Sequence, residues 1–461
     1  MKILFISPEQ GTTGKNATPV PPSAILFIAG LTPRDIDVEL IDMTYEKVNY
    51  DVDVDLVAFS VMTVMAEATY RVADRFRQKG KKVVIGGHHA ASVPLEVKEH
   101  ADIVVIGEAE YVWKKILEDF KTNNLSDFYV GGNPGTLTVK DLPGKVYVDE
   151  RIPDLINQPH YRREILKRKY LFDVMFTTRG CPYNCSFCTV TKFFGAKQRH
   201  RPIPDVIKEL HEVQNLYFLA DDNCYFPSSY YKDLYDEIHK NFGAKKKWFS
   251  QGSLSVVNER DGDIILEKAV KAGQIAVFIG LESINPESLK SVNAYAKIGH
   301  TKNNIDLEFT RKAIQRIQSH GIMVWAFCIL GFTTDTKETF NETLKFLDET
   351  KVMPMPLLLS PLPGTDLWAE YKDLILPDQS WDKWDGAHSL YQHPQLSVTE
   401  LEDIFNEFRI NLFSTDRMWK RAFFNEIKYM PMNMAIESGM KKSFIDNYNE
   451  IKKERLVKQE A

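Results

Sequence analysis

The 461-residue chain contains no apolar run of about 20 residues, so nothing in it reads as a membrane span. Its first residues, Met1-Lys2-Ile3-Leu4-Phe5-Ile6-Ser7, form only a short apolar run without a small-residue cleavage site, which argues against a signal peptide. No charge sign dominates. The 58 Lys and Arg against 63 Asp and Glu leave a net charge of −5, so no global basic field gathers nucleic acid. Cysteine is scarce, five in all, and Cys224 and Cys328 stand isolated. A disulfide framework is thereby disfavoured, and with no export signal the expected location is the reducing cytoplasm. There is also no G-x-G-x-x-G after the first apolar run, which disfavours a nicotinamide-binding domain.

What remains is the composition of an ordinary globular protein, 44% hydrophobic and 26% charged. At roughly 150 residues per domain, two or three domains are expected. The chemistry concentrates in Arg179-Gly180-Cys181-Pro182-Tyr183-Asn184-Cys185-Ser186-Phe187-Cys188, where three cysteines fall within eight residues as C-x3-C-x2-C. That spacing suits a loop whose thiolates all face one iron–sulfur cluster. Three protein ligands on a four-iron cubane leave one iron open. The alternatives are structural cysteines in a turn, or a zinc site short of a ligand; a closed zinc site wants four, and the nearest histidine, His200, lies well downstream.

The stretch, with Phe187 as the aromatic before the last cysteine, resembles the signature of the radical S-adenosylmethionine (SAM) enzymes. The resemblance implies a [4Fe-4S] cluster on Cys181, Cys185 and Cys188. Its open iron would be chelated by SAM, whose reductive cleavage gives a 5′-deoxyadenosyl radical. An oxygen-sensitive cluster fits anaerobic life, and an electron donor such as ferredoxin or flavodoxin is expected.

Before this loop, apolar runs at Lys2–Ser7, Val38–Ile41, Asp55–Ser60, Lys82–Gly87 and Asp102–Gly107 alternate with helical patterns at Ser23–Leu31 and Ala66–Lys79. Nearly all-apolar strands alternating with helices predict a parallel sheet covered on both faces. Functional residues of such a sheet sit past its carboxyl ends, which selects Ser60, Thr63, Gly86, Gly87, His88, Gly107 and Glu108; tight turns are the alternative reason for the glycines. A five-strand domain with Gly-Gly-His and Ile-Gly-Glu-Ala-Glu after its last strands, placed before the cysteine loop, resembles the cobalamin-binding radical SAM enzymes. That implies an N-terminal Rossmann-like cobalamin-binding domain, with the corrin between two domains. The Asp-x-His-x-x-Gly cobalt-ligating motif is absent, so the lower face of cobalt is expected to meet the loop Val61–Val64.

Residues 1–150 are assigned to this domain, with a connector to about 170 in which Phe128–Val130 and Lys145–Val148 are strand-like and Gly131, Gly132, Pro134 and Gly135 act as breakers. Its charge run, Arg162, Arg163, Lys167, Arg168 and Lys169, reads as a solvated helix face or an entrance wall. From 171 to 370, apolar runs at Phe172–Thr178, Leu216–Ala220, Trp248–Ser250, Ile275–Ile279, Met323–Leu330 and Leu357–Ser360 alternate with amphipathic helices, predicting a partial (β/α)6 TIM-like barrel. Polar residues follow most of these strands. The family resemblance implies Asp221 and Asp222 near the methionyl amino group, Glu282, Ser250 and Gln251 at the amino acid or ribose, and Phe187, Ile329 and Gly331 at the adenine. Residues 371–461 predict a mostly helical region, with helices over Glu400–Leu412 and Met418–Ile427; Tyr391 and His393 there, and Tyr183 in the loop, are candidate catalytic groups.

The function implied is cobalamin-dependent radical methylation of an unactivated sp3 carbon, on a small-molecule or a protein or peptide substrate. One SAM would methylate cobalamin and a second would yield the radical. A ring-forming or rearranging cobalamin enzyme without methyl transfer is the first rival, and a non-catalytic cobalamin or cluster sensor the second. Methylthiotransferases share the cysteine loop but carry three further cysteines upstream, and this chain has none before Cys181.

Overall fold

The computed structural model describes residues 1–9, 20–132, 139–424 and 430–460. Two parallel sheets stand in sequence. The first takes β1 (Lys2–Ser7), β2 (Asp37–Asp42), β3 (Leu56–Ser60), β4 (Lys82–Gly86), β5 (Ile103–Gly107), β6 (Phe128–Gly131) and β7 (Val146–Asp149), in the order β2-β1-β3-β4-β5-β6-β7. Successive side chains serve opposite faces, as the two-residue strand period requires. Leu4, Ile6, Val57, Val83 and Val104 join one buried cluster, whereas Ile3, Phe5, Leu56, Val84 and Val105 join the other.

The first sheet is larger than expected. β6 and β7, read from sequence as connector, pair in parallel with β5 and with each other. They are four residues each, and both are strand-like in sequence; what the sequence does not show is that they extend this sheet. Pro134 and Gly135 lie outside the described residues.

The second sheet takes β8 (Asp173–Met175), then, after the two-residue ladder of β9 (Thr178–Arg179) and β10 (Arg199–His200), β11 (Leu216–Leu219), β12 (Lys247–Gly252), β13 (Gln274–Glu282), β14 (Met323–Leu330) and β15 (Met353–Leu358). Its order is β15-β14-β13-β12-β11-β8, all parallel and open between its two edges. The expected partial barrel is present, unclosed. β15 begins four residues before the expected Leu357 because Pro354 and Pro356 argue against a central strand; as the edge strand it tolerates them. One face of this sheet packs on helices such as Ser228–Phe242, Gly262–Lys271 and Leu307–Ser319, through Tyr217, Trp248, Val277, Ile279, Val324 and Ala326.

The third region is helical: Val398–Leu412, Thr415–Phe424 and Met430–Glu460. Ile427, the expected end of the middle helix, lies outside the described residues. A buried ion pair, Arg421 to Glu437 at 2.5 Å, joins the last two helices.

The charge run of the connector is only partly a solvated face. Arg163 is half-buried, holding the buried Asp173 at 3.0 Å and Glu209 at 2.8 Å, and Glu209 also binds Arg201 at 2.6 Å. The chain entering the second sheet is therefore anchored at the start of β8. Removing one partner from such a buried network leaves carboxylates uncompensated. Arg163→Met is expected to lower unfolding free energy by about 3 kcal/mol in urea titration; a change under about 0.5 kcal/mol would show that the network adds nothing.

Candidate active site at the domain junction

The cysteine loop leaves β9 through Gly180, whose φ is 95°. A Cβ there would stand 2.7 Å from the Lys197 carbonyl, so glycine is required on both counts. The loop is then pinned by Ser186 N–H donating to the Val292 carbonyl and Cys188 N–H to the Cys185 carbonyl, each at 3.0 Å. Cys185 is buried and Cys181 and Cys188 half-buried. Burial pushes the Cys181 thiol up to about 11 and Cys185 to about 12, while the Lys297 ammonium works in the opposite direction on all three cysteines. Such thiols become thiolates when cationic iron compensates them. Among the described residues no three His, Cys, Asp or Glu side chains close on a single ion. A cubane does not require such closure, because it gives each cysteine its own iron.

Arg179, immediately before the loop, ties it to the first sheet. Its guanidinium meets Glu108 at 2.7 Å and also Glu110, both just past β5, and it lies over the rings of Phe27, Phe176 and Phe194. Arg199, opposite Arg179 in the β9–β10 ladder, holds Glu108 at 2.9 Å. Glu108 is thus committed to arginine.

Beside this junction is a cavity of about 580 Å³, walled by the carboxyl ends of the first sheet and by the entry to the second. Ser60, Gly86, Gly87, His88, Gly107 and Glu108 all line it, together with Met62, Arg179, Ala220 and Asp222. Thr63 does not; its hydroxyl turns to His89 Nδ1 at 3.3 Å. The Val61–Val64 loop therefore presents Met62 instead. At Gly87, with φ 100°, a Cβ would strike the backbone of Val61 at 2.5 Å. Its missing side chain serves the approach of two loops, not an open pocket. His88 stacks on Phe193 at 4.2 Å, and its Nδ1 is buried without a hydrogen-bond partner among the described residues. Burial lowers its pKa to about 4, so the ring is neutral.

The two adjacent carboxylates expected at one group divide. Asp221 is enclosed, accepting from the Thr177 and Thr178 N–H groups at 2.6 and 2.9 Å, the Thr177 hydroxyl and the Tyr231 hydroxyl. It shapes the turn before the loop and has no lone pair to spare for a ligand. Asp222 faces the cavity, accepting one bond from Gly180 N–H at 3.0 Å, and burial raises it to about 7. Ser250 is likewise internal, donating to the Leu219 carbonyl at 2.6 Å, whereas Gln251 is exposed. Glu282 is buried at φ 61°, beyond a register shift in β13, and holds Lys297 Nζ at 2.6 Å.

Tyr391 and His393 spend their polar atoms on backbone groups. The Tyr391 hydroxyl donates to the Gly331 carbonyl, and His393 Nε2 donates to that of Phe332 at 2.9 Å while its Nδ1 accepts two backbone N–H groups. Both are buried, and they clamp the loop after β14, so Gly331 is held by its carbonyl. Tyr183 is half-buried with its hydroxyl 2.6 Å from that of Ser255. Phe187 packs on the core and Ile329 stands partly exposed on β14.

Comparison with known proteins decides the family. Residues 175–347 match the radical SAM superfamily and residues 11–117 the B12 binding domain. The chain belongs to the cobalamin-binding radical SAM enzymes. It is 27% identical over 433 residues to the bacteriochlorophyllide d C-12(1)-methyltransferase of Chlorobaculum tepidum, covering 91% of this chain and 89% of that one. The C-8(2)-methyltransferase of the same organism is 29% identical, with 81% of each chain covered. In fold it is similar to the radical SAM methyltransferase TsrM of Kitasatospora setae, with TM-score 0.69 at 15% identity, over 96% of this chain and 99% of that one.

The cofactors of this radical SAM enzyme are a [4Fe-4S] cluster, SAM and cobalamin, and the residues present fit them. The cluster has its three thiols. The cavity offers cobalamin the side-chain-free strand ends and the unpartnered His88 Nδ1. SAM has the free lone pairs of Asp222. Sequence reasoning missed Arg179, Arg199, Glu110 and Lys297. For Lys297 the one signal is a lone charge in Tyr295-Ala296-Lys297-Ile298. At Gly280 a Cβ would fall 2.0 Å from Glu282 Oε1 and 2.3 Å from Lys297 Nζ, so this pair lies against a glycine that admits it.

The Asp222 carboxyl titrates higher when folded than unfolded, so its ionisation opposes folding and wild-type stability falls as pH rises toward and through about 7. Asp222→Asn is free of this penalty. Its stability relative to wild type, from urea unfolding of the cofactor-free protein, is expected to rise between pH 5 and pH 8; a constant difference would show the carboxyl to be unperturbed.

Proposed function

We propose that the protein is a cobalamin-dependent radical SAM methyltransferase that places a methyl group on an unactivated sp3 carbon of a small molecule. The observation that carries this reading is the shared cavity, in which the strand ends of the B12-binding sheet face Asp222 and the start of the cysteine loop. Two cofactors bound there address one space, as a reaction needing both demands. The similar methyltransferases named above carry carbon positions in their names, which supports carbon as the acceptor.

When bound, the cluster supplies an electron to SAM and cobalamin carries the methyl group. The protein's residues then have assigned tasks. Cys181, Cys185 and Cys188 hold three irons. Asp222 accepts from the methionyl ammonium, a charge-assisted pair that its burial strengthens. Lys297, neutralised by Glu282 in this structure, offers its ammonium to the carboxylate of SAM. Gln251 serves the ribose, and Phe187 and Ile329 the adenine. Met62, His88 and the glycines of the first sheet wall cobalamin. Arg179 keeps the two halves in register. The division at residues 1–150, 171–370 and 371–461, the cytoplasmic location and a ferredoxin or flavodoxin as reductant belong to this reading. Among the described residues no helix is long and apolar enough to cross a membrane.

One rival has a specific footing. The chain is 25% identical over 444 residues to the anaerobic magnesium-protoporphyrin IX monomethyl ester cyclase of Cereibacter sphaeroides, covering 89% of this chain and 70% of that one. Product analysis separates the two. After anaerobic reconstitution with iron, sulfide and cobalamin, reduction in the presence of SAM and substrate is expected to give both S-adenosylhomocysteine and 5′-deoxyadenosine. Deoxyadenosine alone would turn the assignment to the cyclase chemistry. Cys185→Ala is expected to lose the brown chromophore and all deoxyadenosine; a full complement of iron in that variant would overturn the ligand assignment.

A further inference from the structure

The face of the second sheet turned away from its helices is apolar and aromatic. β11, β12, β13 and β14 present Phe218, Phe249, Phe278, Trp325 and Phe327 on it, each partly exposed, while their immediate strand neighbours are buried against the helices. The rings meet in a chain. Phe218 stacks on Phe249 at 5.3 Å; Phe278 stands edge-on to Phe249 at 5.7 Å and to Trp325 at 5.2 Å, and tilted to Phe327 at 5.8 Å. Ile329, Met355 and Leu357 continue the surface toward β15, also partly exposed. The inner positions of a packed TIM barrel are filled by branched aliphatic side chains; here flat faces line a space left by an unclosed sheet.

Two polar atoms stand at the amino end of this wall. Trp325 Nε1 is buried and has no hydrogen-bond partner among the described residues. Asn433, from the last helix, donates to Met323 Sδ at 3.5 Å, and its Oδ1 is likewise unpartnered. An indole N–H shut away from water without an acceptor is costly, and a ligand that supplies one recovers the loss. From Trp325 to Leu330, the last residue of β14, are five strand steps, about 16 Å at roughly 3.3 Å each. Near the carboxyl end of β14, Cys328 is in register with Glu282, whose partner Lys297 acts on the cysteines of the loop.

We infer that this wall binds the substrate and that the substrate is a planar, conjugated ring system with a hydrogen-bond acceptor on one edge. Flat faces pack on aromatic side chains by stacking and edge contacts that a puckered saturated skeleton does not match. Trp325 takes the polar edge, and the length of the wall delivers the opposite edge to the domain junction. Phe278, in contact with all four of the other rings, is the main specificity-determining residue. This inference deepens the methyl-transfer reading and rests on it for the chemistry performed at the far edge.

Equilibrium dialysis of the cluster- and cobalamin-loaded enzyme tests it. Protoporphyrin IX, planar and bearing carboxylates, is the probe, and cholestanol is the saturated control; bound ligand is quantified after extraction. Saturable binding of one porphyrin per chain is expected, with cholestanol at least tenfold weaker. Phe278→Ala is expected to lose tenfold or more in porphyrin affinity. Trp325→Phe, which keeps the ring and removes the N–H, should lose about tenfold. Iron and cobalt contents are measured alongside, and Phe327→Leu, which keeps an apolar side chain without the ring, is expected to bind several-fold more weakly should either variant fail to load. No saturable porphyrin binding, cholestanol binding as tightly, or unchanged affinity in these variants would overturn the inference. Failure of the methyl-transfer reading shows separately, as tight porphyrin binding by an enzyme that forms no S-adenosylhomocysteine with any porphyrin.

Discussion

The structure depends on a guanidinium buried between its two sheets. Arg179 and Arg199 face each other across the two-residue ladder of β9 and β10. Like charges directly opposed in a ladder destabilise it. The ladder stands because Glu108 and Glu110, from beyond β5, bring two carboxylates to the two cations. The second sheet's entry is thus electrostatically incomplete without the first. Since Gly180 and Cys181 follow Arg179 directly, the same pairs that join the halves also fix where the cysteine loop begins. A cluster site and a cofactor cavity are set in register by one set of charges.

Around that node, adjacent residues do opposite work. Asp221 and Asp222 are neighbours in sequence, yet the first is consumed by three donors of the β8–β9 turn and the Tyr231 hydroxyl, and the second is left facing the cavity. At the end of a strand, consecutive side chains point to opposite sides, so a pair of carboxylates there divides by direction. Tyr391 and His393 repeat the lesson from a distance. Their polar atoms are spent on the carbonyls of Gly331 and Phe332, holding the loop after β14.

Much of this was legible in sequence, for a physical reason. Cysteines gathered on one loop are local, so Cys181, Cys185 and Cys188 reveal themselves by spacing as candidate iron ligands. Buried parallel strands reveal themselves as apolar runs, and eleven such runs place the two sheets. Less legible was whatever depends on a partner far along the chain. β6 and β7, strand-like in sequence, join the first sheet only because β5 is beside them, and Pro354 and Pro356 are acceptable only because β15 is an edge. Arg163 sits in a charge run, and its partial burial follows from Asp173 and Glu209. Lys297 gains meaning only where Glu282 and Gly280 make room for it.

The distribution of polarity links the two binding regions. Charge is confined to the junction, where guanidiniums, carboxylates and one ammonium surround the cysteine loop, and the exposed face of the open sheet has almost none. A charged cofactor is stabilised where those partners stand, and burial makes each pair stronger than it would be in water. An apolar molecule gains nothing there, and it gains most on the aromatic wall, where its surface leaves water. A radical formed at the cluster needs a neighbour that excludes solvent and offers no labile hydrogen of its own. Ring C–H bonds of Phe are stronger than aliphatic C–H bonds, so the ring edges of this wall, unlike the benzylic CH2 groups behind them, are poor hydrogen donors to a carbon radical. The residues proposed to select a flat substrate thus also turn their least reactive bonds, the ring C–H edges, toward the reactive species.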